Sequence, residues 1–272
     1  MRVVSLTCSN TEIVCALGCA DQLVGVDQHS DWPKTVVRSL PRVGPDLGID
    51  VDRVAALKPD LVLASLTVPG HERIVSALEA AGLRFVAPEP ISLSDVYGDI
   101  GLIASLLGVP ERANALIAAM RGEIETGSRT SARRPRVLVE WWPKPVIAPG
   151  RDSWVNQLLH SAGGENPLEG RAVKSQSLSD EEVCALAPDA VVISWCGVRP
   201  EKYRPDIVYR RASWRDLPAL RERRVYCVPE AYLGRPGPRL VEGFRALRRI
   251  VDDCLAAAPA IQSSVRPSGS SI

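Results

Sequence analysis

Three histidines (29, 71 and 160) and seven cysteines (8, 15, 19, 184, 196, 227 and 254) are the side chains with the widest chemical repertoire here. Their spacing supports little chemistry. Cys8, Cys15 and Cys19 do not make a CxxC zinc ligand pair, and no HExxH or close His/carboxylate set occurs. No P-loop and no G-x-G-x-x-G follows a strand-like run, and no G-x-S-x-G elbow is present. The run Asp180-Glu181-Glu182 reads as a helix start, where acidic groups complement the helix dipole. No catalytic residue and no metal site is expected, and binding is the better reading than catalysis. An odd number of cysteines, set mostly in apolar segments, suits reduced core thiols better than a disulfide framework.

The rings and guanidinium groups are more informative. Aromatic residues make up only 5% of the chain, with two Phe, so the core is mostly aliphatic. Five large rings nevertheless follow directly after apolar runs: Trp32, Trp141, Trp142, Trp195 and Tyr232. In open parallel sheets, ligands sit beyond the carboxyl ends of the strands. Rings gathered there suit a broad, flat, partly apolar ligand. Ordinary half-buried packing is the other reading, open for Trp141, Trp142 and Trp195 and preferred for Trp154 and Trp214. Ser9 and Asn10 stand at a helix start after the first apolar run, where free backbone N–H groups can receive an anion or an amide oxygen; for Ser9, a role as helix cap alone is the preferred reading. Leu66 follows the third run. Arg235 and Arg239 flank a Pro-Gly-Pro turn, and either can pair with a ligand phosphate or carboxylate, or Arg239 with solvent or a helix start.

These residues need elements to position them. Short, continuously apolar runs are expected as strands at Val3 to Leu6, Leu23 to Val26, Leu61 to Ser65, Arg84 to Ala87, Arg136 to Glu140, Ala190 to Trp195 and Val225 to Val228. Such runs fit parallel strands covered on both faces. Helical stretches alternate with them, which indicates α/β units. Ser9 with Glu12, and Ser179 with Glu182, have capping-box spacing. The helix after Ser9 should stop at Gly18, and His71 to Ala81 should stop at Gly82. An internal repeat is visible: Asp52 to Ser65 reads DRVAALKPDLVLAS, and Glu181 to Ser194 reads EEVCALAPDAVVIS. Each copy is followed by a strand ending in Pro-Glu, so two similar halves are expected. Between them, Pro110 to Thr126 has helical spacing and composition, roughly 24 Å long at 1.5 Å per residue. The plan is a lobe over 1–109, a single helix over 110–127, a second lobe over 128–256, and a disordered tail over 257–272.

Composition excludes several classes. Apolar residues make up 46%, charged residues 24%, and the formal net charge is +1. That balance gives no reason to expect nucleic acid. No run of about 18 apolar residues suggests a membrane span. Met1-Arg2 leads at once into a strand-like run without the pattern of an export signal. The expectation is a cytoplasmic chain, or a periplasmic or cell-surface one if the true start lies upstream.

The order of motifs resembles a known family. VVSLTCSNTEIVCALG, VGVDQHSDWP, LPRVG and VDRVAALKPDLVLAS are followed by APGRDSWVNQLLHSAGGEN, LSDEEVCALAPDAVVIS, SWRDLPALRERRVYCVPE and RPGPRLVEG. Together they resemble the substrate-binding proteins of iron-siderophore, haem and cobalamin ABC importers, over Val3 to about Asp253. Ser30 to Pro33 and Gly163 to Asn166 are most similar to the cobalamin-binding member. The resemblance implies two Rossmann-like α/β lobes with parallel sheets joined by one long helix, a stiff hinge, and a ligand held between the lobes by Trp32 and Tyr232. It implies a corrinoid such as cobalamin as a non-covalent ligand, with ferric siderophore or haem as alternatives, in a monomer. Where the cobalamin-binding member has a further cleft Trp, this chain has Leu66. The resemblance also implies docking to an ABC permease through Glu72; the second docking carboxylate falls at Gly234, with Glu230 the nearest substitute. A cytoplasmic corrinoid carrier or sensor uncoupled from transport is the competing expectation. A metal-ion receptor of similar fold would need several His and carboxylate ligands, which three scattered histidines do not supply.

Overall fold

The computed structural model describes residues 1–126 and 133–256. In the first half, β1 (Val3–Ser5), α1 (Cys8–Ala16), β2 (Leu23–Val26), α2 (Lys34–Val37), α3 (Val51–Ala56), β3 (Leu61–Leu63), α4 (His71–Ala80), β4 (Phe85–Val86) and α5 (Leu93–Leu106) alternate. Their strands form a parallel sheet in the order β2-β1-β3-β4. Helix α6 (Pro110–Thr126) follows. The second half contains β5 (Val137–Glu140), β6 (Trp142–Pro143), β7 (Val146–Pro149), α7 (Trp154–Ser161), β8 (Ser175–Leu178), α8 (Asp180–Leu186) and β9 (Ala190–Ile193). It ends with α9 (Pro205–Tyr209), α10 (Pro218–Arg221), β10 (Val225–Cys227), α11 (Glu230–Leu233) and α12 (Leu240–Ala256). Here β10-β9-β5 is parallel, and β6-β7-β8 forms a small antiparallel sheet beside it.

The parallel strands are short because only their middles are covered on both faces. Val3, Val4, Leu61, Val62 and Leu63 are all buried, as are Val137 to Val139 and Ala190 to Ile193. The expected strands stand in place: Leu23–Val26 is unchanged, and the others lose one or two residues. The antiparallel sheet was not anticipated. Its sequence is interrupted by Pro143, Pro145 and Pro149, which cannot donate to a ladder and so obscure a strand in sequence.

The internal repeat is reproduced in detail. In each copy a short helix leads to a Pro-Asp turn and a buried strand. Asp60 accepts the Arg2 amide at 2.6 Å and donates its own N–H to the Arg2 carbonyl at 2.8 Å. Asp189 does the same to Arg136, both at 2.8 Å. The aspartate thus clamps the start of the neighbouring strand in each half. The backbones agree too: Lys58 and Ala187, at the same repeat position, have φ of 47° and 43°. One turn before the next strand, Gly82 and Arg223 have φ of 64° and 54°. The second half thus holds an arginine in the left-handed conformation where the first uses glycine.

The two sheets share one core. A single apolar cluster runs from Val3 and Leu61 through Ile13, Ile100, Ile103, Met120 and Ile124 to Val137, Val192, Leu158 and Leu247. Each fully buried Leu or Ile contributes about 1.5–3 kcal/mol of burial free energy. The halves are therefore joined by close packing around α5, α6, α7 and α12 as well as by the chain itself, and such cores resist deformation. Arg112 of α6 adds hydrogen bonds to the Leu17 and Gly18 carbonyls at 2.9 and 3.1 Å. Among the described residues no helix is long and apolar enough to cross a membrane. The expected tail, 257–272, lies outside the described residues.

All seven cysteines are free. They are not mostly core thiols, however: only Cys19 and Cys254 are buried, while Cys196 and Cys227, at strand ends, are exposed.

Candidate functional site

The loop after β2 is built to present its rings and charges outward. Asp27 is buried and accepts from Ser30 Oγ and, at 2.7 Å, from the His29 amide. Burial raises its carboxyl above the usual range, and the Ser30 and His29 hydrogen bonds oppose that rise. Thr11 of α1 bonds both Ser5 and Ser30 at 2.8 Å. Arg42 closes the loop by donating to the carbonyls of Asp27 and Ser30 at 2.8 and 2.7 Å. With its base fixed, the loop leaves Trp32 46% exposed, an unusual placement for a ring of that size.

Facing it are α11 and the turn that leads from it to α12. The Trp154 indole donates to the Leu233 carbonyl at 2.7 Å and pins the end of α11. Gly243 lets α12 approach closely: a Cβ there would come within 2.1 Å of the Tyr232 carbonyl oxygen. This segment carries Tyr232, Arg235 and Arg239.

A charged network joins the two sides. Arg235 donates to Glu12 at 2.9 Å, to Asp31 at 2.6 Å and to Glu230 at 3.2 Å. Arg239 donates to the same Glu12 oxygen at 3.1 Å. The Arg239 guanidinium lies 5.1 Å from the centre of Trp32 and 4.8 Å from that of Tyr232, so one cation serves both rings. Glu12 and Glu230 are held above the usual carboxylate range, chiefly by burial, with Arg235 opposing. Burial disfavours the Arg235 cation, but Glu230, Cys8 and Asp31 outweigh it and raise its affinity for the proton. The Cys8 thiol is pushed up by burial and by Asp27, so it is a neutral thiol. A second cross-link, Lys174 to Glu89, joins the halves elsewhere.

The expected residues fall into three groups. Trp32, Tyr232, Arg235 and Arg239 come together as described. Ser9 and Asn10 serve α1: the cap is Thr7, whose hydroxyl accepts the Asn10 amide, and the Asn10 carboxamide donates to the Ala64 carbonyl at 2.7 Å. Ser9 is therefore not the helix cap, and Glu12 does not close a capping box, because the two arginines engage it. Ser179 and Glu182 do form one. The third group stands apart. Trp195 is buried, donates to Glu140 at 2.8 Å and packs edge-on to Tyr203 at 5.7 Å. It belongs to a core polar cluster with Arg211, not to an exposed cleft surface. Trp141 packs on Trp154 at 6.5 Å, whereas Trp142 is exposed on the β6–β7 hairpin. Leu66 is half-buried, its amide bonded to the Pro88 carbonyl at 2.9 Å. Trp154 and Trp214 are buried packing residues.

Glu72 is exposed at the start of α4 and accepts the Gly70 amide at 2.8 Å. Glu230 instead turns inward to Arg235. An open groove of about 740 Å³ lies under the β6–β7 hairpin, lined by Lys144, Pro145, Ile207, Arg210 and Ser213 among others, all from the second half. No group of three or more metal-ligating side chains occurs among the described residues.

Asp31 was not among the expected site residues, and Glu12 and Glu230 were expected in other roles, a helix cap and a docking carboxylate. Glu12 carried a signal for a different role, the cap, and its partners lie 223 and 227 residues away.

Comparison with known proteins places this geometry in context. A family model described as periplasmic binding protein matches residues 3–232. The chain is 32% identical to the ABC transporter substrate-binding lipoprotein YvrC of Bacillus subtilis (strain 168), over 90% of this chain and 78% of that protein. It is 29% identical to the vitamin B12-binding protein of Yersinia pestis (strain Pestoides F), over 71% of this chain and 69% of that protein. Among solved structures, the periplasmic haem-binding protein RhuT from Roseiflexus sp. RS-1 superposes with a TM-score of 0.79 at 29% identity. That match covers 93% of this chain and 98% of that one.

Proposed function

The chain belongs to the periplasmic binding protein family, and from that premise we propose that it holds a corrinoid, cobalamin or a close relative, between its two halves. Relatives in the family bind vitamin B12 or haem and serve as ABC transporter substrate-binding proteins, not enzymes. One observation carries the reading: Trp32 from the first half and Tyr232 from the second meet across a single guanidinium at the carboxyl ends of the sheets. Two rings set beside two guanidinium groups suit a flat ligand with a polar rim. Corrins and porphyrins have that form. The halves are taken as lobes 1–109 and 128–256 about the helix 110–127, in a monomer. Because the lobes share a core, ligand entry is a small parting of the cleft, not a wide hinge opening.

Coupling to a permease is the second part of the proposal. Glu72 is exposed and suited to meet a cationic permease side chain. The other lobe offers no matching carboxylate at Gly234, and Glu230 is committed to Arg235. Docking is therefore one-sided and transport coupling weak, so a carrier or sensor role remains the competing reading. Complementation of an importer strain lacking its own binding protein, lost on Glu72→Ala, would overturn the weak-coupling part.

Ligand identity is tested by tryptophan-fluorescence quenching and calorimetry with cyanocobalamin, cobinamide, haemin and a ferric siderophore. Corrinoid binding at micromolar or tighter concentration is expected. Siderophore or haemin binding of that strength without corrinoid binding would refute the ligand while leaving the cleft intact.

A further inference from the structure

The charge balance at the Trp32–Tyr232 end of the cleft bears on the ligand's rim. Three carboxylates, Glu12, Asp31 and Glu230, share two guanidinium groups, Arg235 and Arg239. Arg235 engages all three, through its Nε and one terminal nitrogen. The second oxygen of Glu12 is buried with no hydrogen-bond partner, and the Glu12 side chain is only 3% exposed. Carboxylates thus outnumber guanidinium groups by one at this end of the cleft, and buried Asp27 stands in the same loop. Two groups of the network remain open to a ligand. Asp31 is 62% exposed and uses one oxygen for Arg235, leaving the other as a free acceptor. Arg239 is 22% exposed, and among the described residues its only hydrogen bond is to Glu12, leaving further N–H donors.

We infer that this end of the cleft selects a macrocycle rimmed with amides over one rimmed with carboxylates, with Asp31 and Arg239 as the specificity-determining pair. The inference rests on the corrinoid reading above and narrows it. Asp31 precedes Trp32 in the chain and bonds Arg235, and Arg239 lies over one face of the indole, so the edge of a macrocycle lying against the exposed part of that ring meets this pair. A guanidinium only donates, and an ionised carboxylate only accepts. A primary amide matches the two together: its oxygen accepts from Arg239 and its NH2 donates to Asp31. A rim carboxylate can accept from Arg239 but has nothing to donate to Asp31, and it adds an anion to a cluster already short of cations. Like charges at contact distance near a protein surface easily cost a factor of ten in affinity. The excess of carboxylates over guanidinium groups makes the penalty one of the site as a whole, and Asp31 makes it local.

The test compares two corrins that differ only at the rim: cobinamide and the heptacarboxylate formed when its side-chain amides are hydrolysed. Both are titrated by calorimetry at about pH 7.5, where rim carboxylates are ionised, into wild type and Asp31→Asn. Asp31 is exposed and Asn is its isostere, so the variant folds. Cobinamide should bind at least tenfold more tightly to wild type. The preference should shrink severalfold in Asp31→Asn and on raising ionic strength from about 0.05 to 0.5 M, which screens the repulsion. Equal affinity of wild type for the two corrins overturns the selectivity and leaves the corrinoid reading standing. A preference unchanged in Asp31→Asn removes that residue from the role and overturns the assignment. Binding of haemin with neither corrin bound overturns the corrinoid reading and this inference with it.

Discussion

Replacing Arg235 by methionine tests the network that spans the cleft. Methionine keeps most of the stem volume and removes the charge. Three carboxylates lose a partner: Glu12, 3% exposed, Glu230, 19% exposed, and Asp31, 62% exposed. Asp31 is solvated, so its share is under about 1 kcal/mol. Removing one partner of a buried pair costs about 3–5 kcal/mol. The lower end applies, since Arg239 still holds Glu12 at 3.1 Å. A loss of about 3 kcal/mol at neutral pH follows. The sign of its pH dependence is fixed. Burial already holds Glu12 and Glu230 above their usual 4.5, and loss of the cation lifts them further. The folded variant then binds these protons more firmly than the unfolded chain, so its stability falls as pH rises above about 4.5. The deficit against wild type should be largest near pH 7.5 and shrink towards pH 5. Urea unfolding at both pH values measures it. A loss below about 1 kcal/mol at pH 7.5, or a deficit equal at both, would refute the reasoning.

Three further outcomes follow from the fold. Burial, with Asp95 adding to it, holds Asp99 at about pKa 6 against its usual 3.8; the stability it favours is present below pH 3.8 and lost as pH rises through 6. Asp99→Asn should therefore raise the melting temperature near pH 7.5, with an advantage that shrinks towards pH 5 and is gone only below about pH 3.8, and a constant difference by calorimetric scanning would contradict the burial cause. Arg223→Gly should gain about 0.5–1 kcal/mol in chemical denaturation, because it relieves the left-handed backbone that Gly82 adopts freely in the other half; a loss would mean that the Arg223 contact with Tyr209 outweighs the strain. Gly243→Ala should lower stability by about 1–3 kcal/mol and weaken ligand binding through displacement of Tyr232, whose carbonyl the new Cβ would meet at 2.1 Å. Unchanged binding in a folded Gly243→Ala protein would separate α12 packing from the site.

The parts of the fold legible in sequence were those governed by local rules. Continuous apolar runs gave the parallel strands, Leu-x-Pro-Asp gave the repeat, and Ser179 with Glu182 gave a true capping box. Glu12 shows where local rules fail: the same spacing occurs after Ser9, yet two arginines more than 220 residues away claim the carboxylate. Trp195 failed for a related reason. Its position after β9 suits a cleft ring, but a buried acceptor, Glu140, draws its N–H inward. The β6–β8 sheet was hidden by prolines and by its antiparallel pairing, which depends on partners that no run of residues reveals. Trp32, Tyr232, Arg235 and Arg239 were found because they follow strand ends. That the two arginines are occupied by protein carboxylates could not be read from their own neighbours in the chain.

The most direct test is a crystal structure of the protein grown with cobinamide. The ligand should lie between the two lobes, its macrocycle against Trp32 and Tyr232 and its rim at Asp31 and Arg239, with affinity in solution falling more than tenfold in a Trp32→Ala, Tyr232→Ala double variant. A corrin bound elsewhere, such as in the groove lined by Lys144, Ile207 and Arg210, with undiminished affinity in the double variant, would contradict the account.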